Sequence, residues 1–141
     1  MIYFVGKLPK RFESFDFDRV VLFAHEFLEL PENLELEIEF VALPKNMQGE
    51  ADYEDKLATI SLNSRIKKSE LIPTIFHEMV HIKQIINKDL IIGVGNKRTK
   101  WKGKYFQGDY YDFPWEVEAF KLEEDMMNLF EEKKNGLPNP S

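Results

Sequence analysis

Between Leu34 and Phe40 the chain alternates without a break. Leu34, Leu36, Ile38 and Phe40 fall on one side, and Glu35, Glu37 and Glu39 on the other. A period of two predicts a strand buried on one face. "KLATISLN" at 56–63 repeats the pattern, with Ala58, Ile60 and Leu62 opposite Thr59, Ser61 and Asn63, and predicts a second strand. Elsewhere the period is helical. Val20, Val21, Phe23, Ala24, Phe27 and Leu28 predict a helix from about Asp16 to Leu30, stopped by Pro31. A second helix is expected to start near Ser69, read as its N-cap and followed by Glu70. Pro73 falls in its first turn, and the helix runs to about Asn87. Pro114 opens a third helix, which ends near Lys133.

The remaining segments lack either period. Residues 44–56 are polar and contain Pro44 and Gly49, so they read as a loop. From Ile91 to Tyr111 three glycines between 93 and 103 accompany aromatics that alternate with lysines, which reads as a hairpin or a long irregular loop. The end, "NGLPNPS", reads as a frayed tail, with about 134–141 flexible. No internal repeat or low-complexity block is present. The fold class expected is α+β, with a small, mostly antiparallel sheet packed on about three helices.

Composition narrows the chemistry. A chain of 141 residues is one domain and can bury a core. It has no cysteine, which excludes disulfides and thiolate metal sites. Any metal must then be held by His, Asp and Glu. The net charge of −6 argues against a nucleic-acid partner, which needs a basic face. No run approaches the ~18–20 apolar residues that span a bilayer. The first residues lack a charged region followed by a long apolar one. The expectation is a cytoplasmic protein with no membrane partner.

Against that background "FHEMVHIKQ" at 76–84 stands out, because it holds two of the three histidines. His77 and His81 are four apart, so on a helix they lie roughly 40° apart and one turn above the other. Their imidazoles can converge on one point. Zinc accepts neutral imidazole nitrogens in a tetrahedral shell, and this spacing fills two positions. Glu78 is turned roughly 100° from His77, so it sits beside the metal without binding it and can act as a general base. The pattern is the H-E-x-x-H helix of zinc peptidases. The plain alternative is a helix that carries two histidines by coincidence.

A catalytic zinc site usually takes three protein ligands. His25, the remaining histidine, lies beside Phe23 and Phe27, where a helix-face role is the simpler reading. "PWEVEAF" at 114–120 offers Glu116 and Glu118, which lie roughly 200° apart on a helix. Glu116 falls inside the apolar arc formed by Ala119, Phe120, Leu122, Met126, Met127, Leu129 and Phe130. Glu118 falls at its polar edge. A glutamate on a buried stripe needs a partner, and a metal ion is one. Glu116 is therefore the expected third ligand, with Glu118 as the alternative. Glu123 also lies within the arc. It could accept a hydrogen bond from the outer nitrogen of a liganding histidine, although a surface glutamate is the simpler account.

With these residues the chain resembles the gluzincin zinc metallopeptidases, in which an H-E-x-x-H helix is joined by a glutamate in an E-x-x-A pattern. Here that pattern is Glu116-Val117-Glu118-Ala119. The "E-x-E-A" form looks especially like the compact ImmA/IrrE type. "HEMVHIKQ", then Trp101 and Gly103, then "YYDFPWEVEA", is similar to small single-domain proteins of this kind encoded by phages and bacteria. The likeness covers about residues 57–130. It implies a zincin-like fold, Zn²⁺ on His77, His81 and Glu116, Glu78 as catalytic base, and a peptide or protein substrate. It further implies that the strand "ATISLN" lines the cleft and could pair with an extended peptide. If the protein is phage-encoded, the compartment is the host cytoplasm. The chain departs from larger relatives in that no pro-segment and no second lobe are expected.

Several features stand outside this reading. Tyr105, Tyr110, Tyr111 and Arg98 are candidate donors to a tetrahedral intermediate, and simple packing is the plainer account of each. Lys97, Arg98, Lys100, Lys102 and Lys104, interleaved with Trp101 and Tyr105, could grip an acidic peptide or a nucleic-acid strand, or simply form the wet face of a hairpin. The segment 88–113 could be a lid or a plug. The leading function is a zinc-dependent metallopeptidase. The alternative is a zinc-binding interaction or regulatory module on the same scaffold, with little or no catalysis.

Overall fold

A computed structural model describes residues 2–93, 99–106 and 113–136, the last three without their side chains. The chain opens with β1 (Ile2–Val5), a strand that no pattern in the sequence singled out. After a 3-10 turn at Lys10–Phe12 comes α1 (Phe17–Phe27). Asp16 caps α1 by accepting a hydrogen bond from the Arg19 N–H at 3.1 Å. The helix ends earlier than Pro31. Glu29 turns left-handed at φ 53°, and the Leu30 N–H returns to the His25 carbonyl at 3.0 Å. This is a Schellman-type stop made without glycine.

The alternating segments follow as β2 (Glu35–Val41) and β4 (Leu57–Asn63), and between them lies β3 (Gly49–Glu54), in the stretch expected to be a loop. The sheet order is β1-β2-β4-β3. β1 and β4 both run parallel to β2, and only β3 is antiparallel. The main sheet is therefore mixed, which corrects the expectation of a mostly antiparallel one. Alternation marks a sheet with one wet face, which is commonest among antiparallel strands. Here the parallel strands also keep one face polar. Leu36, Ile38, Ala58, Ile60 and Leu62 are buried in one core with Val20, Ala24, Ile75 and Met79 of the helices. Glu37, Glu39, Thr59 and Ser61 alternate with them and stay partly exposed.

α2 (Lys68–Ile86) packs against β3 and β4. Its N-cap is Lys67, which gives no side-chain bond, so Ser69 is not the cap. Pro73 consequently lies in the second turn rather than the first, and it has no N–H to offer the Ser69 carbonyl. Short strands β5 (Leu90–Ile91), β6 (Lys100–Trp101) and β7 (Lys104–Tyr105) form a separate antiparallel sheet in the segment read as a hairpin or loop. α3 (Pro114–Gly136) packs on α2 and runs three residues past Lys133. The rest of the expected tail lies outside the described residues. Leu90, Trp101 and Trp115 make a second small core, which fixes the small sheet against the start of α3. The architecture is α+β, with three α-helices among the described residues.

Candidate metal centre

The apolar face of α2 is pressed into the core through Leu71, Ile75, Phe76, Met79, Val80 and Ile82, each 0% exposed. That packing fixes the rotation of the helix and turns His77, Glu78 and His81 toward α3 and β3. All three are nonetheless buried, at 6–8% exposure. α3 crosses there with Ala119 wholly buried, and Glu116 lies one turn before it. Glu116 Oε1 is 2.9 Å from His77 Nε2 and 3.1 Å from His81 Nε2. One donor atom from each of these residues lies within 4.8 Å of the others, and they are the one such group among the described residues. In a tetrahedral site with bonds of about 2.0–2.1 Å, donors stand about 3.3 Å apart. The two spacings to Glu116 are a few tenths of an ångström shorter, and the third lies within 4.8 Å, so small side-chain shifts bring the three donors to such a geometry.

The outer ring nitrogens are also held. His77 Nδ1 donates to Glu123 Oε1 at 2.9 Å. His81 Nδ1 donates to Gln84 Oε1 at 2.7 Å. Gln84 in turn donates from Nε2 to the Trp115 carbonyl at 3.0 Å and to Glu118 at 3.1 Å. Glu118 thus supports the arrangement through Gln84, whereas Glu116 faces both imidazoles. Glu123, for which a surface role was the simpler reading, sits on His77. Gln84 was missed altogether. It lies three residues after His81, one helical turn on, and that spacing was the available signal.

Each histidine therefore meets an acceptor on both nitrogens. Burial pushes His77 down, but hydrogen bonds to Glu116 and Glu123, with the charges of Glu78 and Glu116, outweigh it and hold its pKa near 9. His81 is opposed by burial too and is raised by Glu116, Glu78 and Gln84. Burial alone would raise Glu116; hydrogen bonds from the two imidazoles bring it down to about 2. Glu78 is lifted to about 7 by burial, against the pull of His81 and His77. Without a metal, protons on the two Nε2 atoms take the place that a cation would occupy, and this donor set suits a cation of the imidazole- and carboxylate-binding kind.

The centre opens into a cleft of about 1140 Å³, lined by His77, Glu78, His81, Glu116 and Glu123 and by β3 from Gly49 to Asp52. β3 approaches α2 closely. A Cβ on Gly49 would stand 2.9 Å from Thr74 Cγ2 and 3.1 Å from Glu78 Cγ, so only glycine fits there without displacement. Glu78 makes no hydrogen bond among the described residues, and no sealed side-chain oxygen lacks a partner, so its carboxylate opens on the cleft.

No known protein family, curated protein or solved structure matches this chain.

The other candidates are scattered. His25 bonds the Pro31 carbonyl at 2.9 Å, far along the chain from the centre, and helps close the end of α1. Tyr105 is 57% exposed on β7 and does not line the cleft. Tyr110, Tyr111, Arg98 and Lys97 lie outside the described residues. Of the segment 88–113, Ile92 forms part of the cleft wall, while 94–98 and 107–112 are outside the described residues. The strand "ATISLN", expected to offer its edge to a peptide, has β2 on one side and β3 on the other. Its edge is taken, and β3 is the edge strand beside the centre. No helix among the described residues is long and apolar enough to cross a membrane.

Proposed function

We propose that the protein is a zinc-dependent metallopeptidase of zincin-like build, hydrolysing peptide bonds with Glu78 as general base. The observation that carries the reading is the convergence of His77 Nε2, His81 Nε2 and Glu116 Oε1 in the wall of an open cleft, beside a buried carboxylate with no hydrogen-bond partner among the described residues. A structural zinc site has no use for that carboxylate. Bound Zn²⁺ would polarise the scissile carbonyl and make a neighbouring water more acidic.

The remaining roles belong to the chain. Glu78 removes a proton from the attacking water and returns it to the leaving amine. Glu123 and Gln84 fix the ring planes of His77 and His81. Among the described residues no strand lies on the outer edge of β3, so an extended peptide would align there by strand addition.

The test compares wild type with Glu78→Gln on a peptide library after zinc loading. The expected result is equal zinc content and a loss of cleavage of about 10²–10⁴-fold. Equal cleavage by both proteins removes Glu78 from the mechanism.

A further inference from the structure

The wall of the cleft beyond the metal centre carries one sign of charge. Glu39, Glu50, Asp52 and Glu70 line it, in addition to Glu78, Glu116 and Glu123. No lysine or arginine among the described residues does so. Ile92 and the Phe120 ring, which lies 4.6 Å from the His77 ring, add apolar surface to the same cleft. The acids are placed by the sheet register. Glu39 stands opposite Ser61, and Ser61 opposite Glu50, while Asp52 stands opposite Thr59 in the next row. Glu39 is already engaged, since Ser61 Oγ donates to it at 2.7 Å. Asp52 accepts the N–H of its neighbour Tyr53 at 2.9 Å and keeps its second oxygen. Glu50 is exposed, follows the glycine that abuts Glu78, and its charge is felt at the Glu78 carboxyl.

A cleft with walls of one sign focuses its field and concentrates ligands of the other sign. Glu78, buried and without a hydrogen bond among the described residues, and the donor triad mark where a ligand must reach, and β3 lines the same cleft. We infer that the cleft selects extended peptides bearing lysine or arginine side chains next to the scissile bond, with Glu50 and Asp52 on the edge strand as the selecting groups. This inference rests on the peptidase reading for its notion of a scissile bond, but the selection is a property of binding and can be measured apart from turnover.

The experiment uses the zinc-loaded full chain carrying Glu78→Gln. Fluorescent decapeptides that are identical except for two central residues, Lys-Arg or Glu-Glu, are titrated by anisotropy. Exposed ion pairs contribute modestly each, so two of them predict about tenfold tighter binding of the basic peptide. The difference should shrink as NaCl rises from about 50 to about 500 mM. Adding Glu50→Gln and Asp52→Asn should remove most of it. Adding Glu131→Gln and Glu132→Gln, an equal loss of charge on the exposed side of α3, should leave it in place. Equal binding of the two peptides overturns the inference, and so does a preference that responds alike to both pairs of substitutions, because that would be a net-charge effect. Wild type is then given the same peptides. Failure to cleave a peptide that binds selectively overturns the peptidase reading and leaves the selection standing.

Discussion

His77 and His81 each face a carboxylate shared between them on one nitrogen and a private acceptor on the other. This residue-level arrangement makes two predictions. Partners that orient a liganding imidazole typically matter by 10–100-fold in metal affinity. Gln84→Ala and Glu123→Ala should therefore each weaken zinc binding by about 10–100-fold, measured by competition with a chromophoric chelator. Unchanged affinity in both would reduce these residues to packing. The second prediction concerns pH. The His77 pKa is raised from an ordinary 6.5 to about 9, so in the metal-free protein its ion pairs stabilise the fold fully below 6.5 and are lost as pH rises through 9. Zinc must displace the same protons. Zinc affinity should thus climb by at least about tenfold per pH unit between 6 and 8, while the urea midpoint of the metal-free protein falls from pH 7 to pH 9. A pH-independent affinity would contradict the shared proton-and-metal position.

At the scale of elements, the strands and helices with strong periods were legible. The alternation at 34–40 and 57–63 and the helical spacings around Val20, His77 and Ala119 correspond to β2, β4, α1, α2 and α3. β3 was not legible, for two reasons. Its only buried-side residues are Gly49, Ala51 and Tyr53, and its turn into β4 uses Asp55 and Lys56 at φ 51° and 68° without a glycine. A two-residue turn with both residues left-handed favours Asp-Gly or Asn-Gly. Lys56→Gly should relieve the strained second position and stabilise the protein by roughly 0.5–1 kcal/mol, read from chemical denaturation. Destabilisation would mean that the lysine side chain contributes more than its backbone costs. That His77, His81 and Glu116 come together could be read because helical spacing is local. Glu123 stayed beside a surface reading because its contact with His77 depends on how α2 and α3 cross, whereas Gln84 meets His81 within α2 and was passed over.

On the scale of the whole molecule, one helix is held rigidly by the core while its polar residues meet a second helix and an edge strand. The sheet is one-sided: apolar side chains face the helices, and the acidic row of Glu39 and Glu50 leads to the cleft. The parallel course of β1, β2 and β4 was hidden because a wet face gives the same alternation in either direction. The central claim is that α2 and α3 together hold one divalent ion. It is tested most directly by elemental analysis of untagged protein after saturation with Zn²⁺ and exhaustive dialysis, alongside His81→Ala and Glu116→Ala variants checked for folding by circular dichroism. The account predicts about one zinc per wild-type chain and a marked loss in both variants, because three protein ligands are needed to hold it. A folded wild-type protein that retains no zinc, or variants that retain as much as wild type, would contradict it.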